Sequence, residues 1–124
     1  MEKIDFACEY VRVFKYDDSV SVVFEIEDDG PMAIGARLSE IDERAYMNGY
    51  NWSALIHWYL KNNEPDLLDG LDDDSEASTY VGIYDSSDDA DKGRRLAETI
   101  CRLVEDESGL CAMVRDHADE IEWD

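Results

Sequence analysis

Basic residues are what this chain most lacks. Lysine and arginine number 11 against 32 aspartates and glutamates, a formal net charge of −21 over 124 residues. A surface of that sign repels nucleic acid, anionic membranes and acidic substrates, so none is expected as a direct partner and a basic partner is favoured. The charge could also serve solubility alone or reflect a salt-rich habitat. No apolar run approaches the roughly 20 residues of a membrane helix. The opening MEKIDFACEY has no basic segment leading into an apolar one, so no secretory leader is expected and a cytoplasmic protein is the reading. Cysteine is sparse. Cys8, Cys101 and Cys111 cannot all pair within one chain and form no Cys-x-x-Cys, so reduced, mostly buried thiols are expected.

Motifs that carry chemistry are also missing. The sequence holds no G-x-S-x-G, no phosphate-binding P-loop, no G-x-G-x-x-G and no H-E-x-x-H. DGLDDDSEAS and DSSDDADKG lack the ligand spacing of a calcium-binding EF-hand loop. His57 and His117 are the only histidines. Cys111, six residues before His117, falls on a roughly opposed helix face, and a Cys–His nucleophile would have to be assembled in space from Cys8 or Cys101. The simpler reading gives both histidines structural roles. No catalytic residue, cofactor or metal site is expected.

What remains is enough for a core. Hydrophobic residues make up 44% of the chain, which fits one domain over residues 1–124. Residues 9–16, EYVRVFKY, and 20–26, VSVVFEI, flank Asp17-Asp18-Ser19 and read as an antiparallel hairpin. Asp28-Asp29-Gly30-Pro31 breaks that pattern, and Leu38, Ile41 and Ala45 suggest a helix near 36–46. Next comes NGYNWSALIHWYLKNN, residues 48–63. Asn51 is a plausible N-cap, and Trp52, Leu55, Ile56, Tyr59 and Leu60 share one helical face. Pro65 opens a short turn closed by Gly70. A second hairpin joins a strand around 68–72 to TYVGIYD through residues 74–78. After a polar segment at 86–93, one helix carries Leu96, Ile100, Leu103 and Val104, and a last helix carries Leu110, Met113, Val114 and His117 on its stripe. EIEWD ends the chain as a short extended tail. There is no internal repeat or long linker. The order predicts an α+β fold, an antiparallel sheet of two hairpins with four or five helices mainly on one face, a two-layer sandwich.

The acids are crowded, and two aromatics lie off the core stripe. Asp72, Asp73, Asp74 and Glu76 fall in one run, and Asp85, Asp88 and Asp89 in another. The two runs are expected at opposite ends of the strand at 79–84 and would not merge into one patch unless that strand lies along the sheet edge. Crowding of this kind costs stability, which a cationic partner would relieve. Trp52 and Tyr59 are expected in the core. Tyr50 precedes the helix and Trp58 sits well off its apolar face. Unless other elements cover them, they would anchor a contact within an acidic rim.

MNGYNWSALIHWYLKNNEPDLLDGL, residues 47–71, resembles the central motif of the immunity protein 51 family of bacterial polymorphic toxin systems. DEIEWD, residues 119–124, resembles that family's end. The likeness covers residues 47–124 well and the first hairpin loosely. It implies a cytoplasmic antidote that is not an enzyme and that neutralises a cognate secreted toxin domain by stoichiometric occlusion. The charge favours a basic toxin such as a nuclease, contacted through Asp72, Asp73, Asp74, Glu76, Asp85, Asp88, Asp89, Tyr50 and Trp58. The alternatives are an acidic nucleic-acid mimic or adaptor on a basic host protein, and a small hydrolase. Oligomeric state is not legible.

Overall fold

The computed structural model describes the backbone of residues 2–124 and the side chains of residues 8–86 and 88–124. The chain runs β1 (Glu2–Cys8), β2 (Val11–Lys15), β3 (Val20–Glu25), α1 (Asp29–Ile41), α2 (Gly49–Asn63), β4 (Leu71–Asp73), β5 (Thr79–Tyr84), α3 (Ala90–Glu105) and α4 (Glu107–His117). All strand pairs are antiparallel, in the spatial order β1-β2-β3-β5-β4. The helices cover one face, so the α+β sandwich read from the sequence is the observed fold.

Strand alternation explains the sheet. Val11 and Val13 on β2, Val20, Val22 and Phe24 on β3, and Tyr80, Gly82 and Tyr84 on β5 are buried, and the residues alternating with them are half-exposed. That is the pattern of a sheet with one covered face. The two expected hairpins are joined by pairing of β3 with β5, from Val20 opposite Tyr84 to Glu25 opposite Thr79. β1 is an additional strand beside β2 that the sequence did not suggest, because Glu2, Lys3 and Asp5 interrupt its apolar pattern.

α3 crosses β1, β2 and β3 with Leu96, Ile100, Leu103 and Val104 buried, as its stripe predicts. α2 packs on β5. Trp52 is 1% exposed and meets Phe24 edge-to-face with ring centroids 5.1 Å apart. Burying a large apolar side chain contributes about 1.5–3 kcal/mol. Tyr59 is half-buried at the margin of this core rather than within it.

Several expectations are corrected. The first helix begins at Asp29, not near residue 36, and residues 42–48 form a loop. Asp28–Pro31 does end the strand pattern, and Pro31 falls in the first turn of the helix, where backbone N–H groups have no intrahelical partner, so the same residues also start α1. α2 is capped by Asn48, whose side chain accepts from the Asn51 backbone N–H at 2.9 Å, and not by Asn51. His117 continues the Leu110–Val114 face at the end of α4 but is only half-buried there, and it pairs with Glu120. Cys8 and Cys101 are joined by a disulfide, leaving Cys111 as the free thiol. β1 and α3 bring their Cα atoms to 6.2 Å, within bridging range. The expectation of three reduced thiols fails for that reason.

Candidate functional site

The site is built around one buried amide. The Asn51 Nδ2 donates to the carbonyls of Tyr46 at 2.7 Å and Arg44 at 3.4 Å. Its Oδ1 accepts from the Asp124 backbone N–H at 2.7 Å. A buried amide must find partners for its donors and its acceptor, and Asn51 finds them on two segments remote from each other in sequence. Next to it the Gly49 N–H donates to the Ala77 carbonyl at 2.8 Å. The start of α2 therefore holds the 42–48 loop, the β4–β5 turn and the final residues together. Those final residues make a short 3-10 turn, Ala118–Glu120, before an extended end. Ile121 is buried, and the Trp123 Nε1 donates to the Ala118 carbonyl at 3.0 Å.

Between α2, β4 and this end lies a groove of about 520 Å³, lined among others by Tyr50, His57, Trp58, Asp73, Glu122 and Trp123. Tyr50 is 43% exposed. Trp58 is half-buried and rests on His117, with ring centroids 4.9 Å apart and planes 32° from parallel. His117 Nδ1 in turn meets Glu120 Oε2 at 2.6 Å. Among the described residues Lys61 is the one cation in the lining, against Asp73, Glu120, Glu122 and Asp124.

The electrostatics at the groove's inner wall are defined by two opposed groups. Burial pushes the His57 imidazole below its ordinary range, and the Asp73 charge only partly offsets this. Its Nε2 is buried and has no partner among the described residues. Partial burial raises the Asp73 carboxyl, but hydrogen bonds from Ser53 and Ser75, joined at low pH by the charge of a protonated His57, outweigh it and hold it below the usual range. The wall thus presents a neutral imidazole beside a carboxylate. Ser53 gives its hydroxyl proton to Asp73 and not to the imidazole, so Ser53 and His57 do not form a serine–histidine pair. The bridge between Cys8 and Cys101 also leaves neither sulfur free to attack.

The acidic candidates divide between surfaces. β4 is an edge strand, and consecutive side chains on a strand point to opposite faces. Asp73 faces α2 and the groove, whereas Asp72 is paired in register with half-exposed Ile83 on the open face. There Asp72 meets Asp85. Sequence reading separated the two acidic runs, but Leu71 lies opposite Tyr84 and Glu76 opposite Thr79. One end of the hairpin therefore gathers Asp72 and Asp85, and Glu76 lies at the other. Asp74 is exposed, as is Asp88, and half-exposed Asp89 sits with Asp88 in the 3-10 turn before α3. The groove unites Tyr50, Trp58 and Asp73; it does not contain the candidates Asp72, Asp74, Glu76, Asp85, Asp88 or Asp89. Sequence reasoning missed His57, Glu122 and Trp123 as part of it. The aromatic residue inside DEIEWD was the available signal.

Hydrogen bonding to Asp72 and its charge, together with burial and Asp18, raise the Asp85 carboxyl. A carboxyl raised on folding favours the fold below its unfolded pKa, and that benefit is lost as pH rises through the folded value. Asp85→Asn should therefore raise the thermal midpoint at pH 7, with the gain vanishing below about pH 4, where the carboxyls are protonated. An equal shift at both pH values would mean that the pair carries no such repulsion.

The geometry is a concave face that combines carboxylates with aromatic rings. The family model described as Immunity protein 51 matches residues 11–119, nearly the whole chain. The chain belongs to that family. No curated protein and no solved structure matches it.

Proposed function

We propose that the protein is the intracellular antidote of a basic toxin domain, which it binds one to one and occludes without catalysis. Membership of an immunity family supports a toxin-neutralising role. The observation that carries the finer reading is the surplus of 32 acidic over 11 basic residues. Among the acids, Asp72 and Asp73 on the two faces of the β4 edge, with Asp74 and Asp85 beside them, offer a negative surface to a basic active-site cleft, of which a nuclease is the best-fitting example. Complementary charge raises the association rate and suppresses wrong partners more than it adds affinity.

The test is calorimetry against the toxin domain encoded beside this chain, at low and high salt. Tight one-to-one binding that weakens with salt is expected. Binding indifferent to salt would remove the acids from the mechanism, and absence of binding would overturn the antidote reading. Reversing Asp72 and Asp74 to lysine, with Asp73 left in place to hold Ser53, should slow association about tenfold at low salt and flatten its salt dependence. An unchanged rate in stopped-flow mixing would exclude that surface.

A further inference from the structure

The groove against α2 has a composition that general acidity does not explain. Three aromatic residues, Tyr50, Trp58 and Trp123, line the same concavity as Asp73, Glu120, Glu122 and Asp124. Its volume of about 520 Å³ lies in the range of sites that take a small ligand or a side chain. The aromatic rings present faces and edges to a flat partner, and the carboxylates present acceptors. Two of the anchors are held in place from behind. Trp58 rests on His117, which Glu120 holds, and Trp123 is fixed through its indole N–H. Ser53 and Ser75 fix the Asp73 carboxylate. Little ordering is left to be done when a ligand enters, which favours binding. The uncharged His57 in the wall does not repel a cation, and Lys61, the cation in the lining, is exposed and outnumbered there by Asp73, Glu120, Glu122 and Asp124.

We infer that this groove seats an arginine side chain presented by the partner, its guanidinium stacked among Tyr50, Trp58 and Trp123 and its N–H groups donating to Asp73 and Glu122. A guanidinium suits these walls better than an ammonium does. It is planar, stacks on aromatic rings and donates through a rigid fork to carboxylates, whereas an ammonium is a compact, strongly hydrated point charge. That the arginine comes from a toxin domain rests on the antidote reading; the site itself does not.

A probe independent of any toxin tests it. The isotopically labelled full-length chain is titrated with the blocked tripeptide acetyl-Gly-Arg-Gly-amide and, separately, with its lysine counterpart, while backbone and indole N–H resonances are followed. Saturable shifts are expected at the Trp58 and Trp123 indoles and at the Glu122 amide, with the buried Trp52 indole still and the lysine peptide several-fold weaker. Tyr50→Ala combined with Glu122→Gln, both exposed positions, should weaken the arginine peptide about tenfold. Asp72→Asn with Asp85→Asn should leave it unchanged. Non-saturating shifts, shifts as large around Asp72 and Asp85 as in the groove, or equal binding of both peptides would overturn the site. If the peptide fails while the toxin domain still binds, the groove is excluded and the antidote stands. Saturable groove shifts without toxin binding would remove the antidote and keep the arginine site.

Discussion

Reduction of the Cys8–Cys101 bridge lowers the stability of the protein by about 4 kcal/mol, measured as the change in urea unfolding with and without a thiol reductant. The bonded cysteines are 93 residues apart in sequence. Cross-linking so long a loop removes conformational freedom chiefly from the unfolded chain, and loop-closure entropy gives about 4–5 kcal/mol for loops of this size. The bridge ties β1, at one edge of the sheet, to the long helix α3 that covers it. Cys8→Ser with Cys101→Ser should reproduce the loss under oxidising conditions. Cys111→Ser should not, because that thiol is free. A loss under about 1 kcal/mol would mean that packing of α3 on the sheet already confines the two ends, leaving the bond little to do. The size of the effect matters for the proposed role, since an antidote working in a reducing compartment must hold its fold without the bridge.

Gly49→Ala destabilises the protein by about 3 kcal/mol or more, although alanine is the better helix former by about 1 kcal/mol. The cause is position. A Cβ at residue 49 would stand 1.8 Å from the Glu76 carbonyl oxygen and 2.6 Å from that of Thr79. Both are backbone atoms of the β4–β5 turn, so no side chain can swing aside. Relief requires the turn to move away from the start of α2, breaking the Gly49 N–H bond to Ala77. Gly70 supplies the comparison. It has φ of +80° with nothing within 4 Å of an added Cβ, so Gly70→Ala should cost only the left-handed strain of about 1–2 kcal/mol. Urea unfolding of both variants decides between them. A Gly49→Ala protein as stable as the parent would show that the turn is not held where the structure has it.

Where burial follows a period, the sequence shows the fold. β2, β3 and β5 alternate, and α2 and α3 carry continuous apolar stripes, so these elements and the sheet-and-helix layering follow from local pattern. α1 was misplaced because Gly30-Pro31 signals a break as strongly as a helix start, and only the packing of Ile34 and Leu38 decides. The Cys8–Cys101 bond depends on the pairing of β1, which no local signal announces. The groove was half legible. Tyr50 and Trp58 lie off the core stripe and so invite a functional reading, while His57, Glu122 and Trp123 join them only because Asn51 draws the chain's last residues onto α2. The acids were legible as an amount. Which face each one serves is fixed by the register of β4 against β5.

That register makes parity along β4 a second kind of address. Asp72 and Asp73 are neighbours in the chain, yet one looks onto the open sheet beside Asp85 and the other into the groove beside His57. A deletion or block substitution spanning both would disturb two surfaces and report them as one. Single substitutions at alternate positions would let each surface drift on its own as a partner changes. Inserting one residue before Leu71 and removing one of the same type after Asp73 would exchange the two carboxylates between faces without altering composition, charge or length.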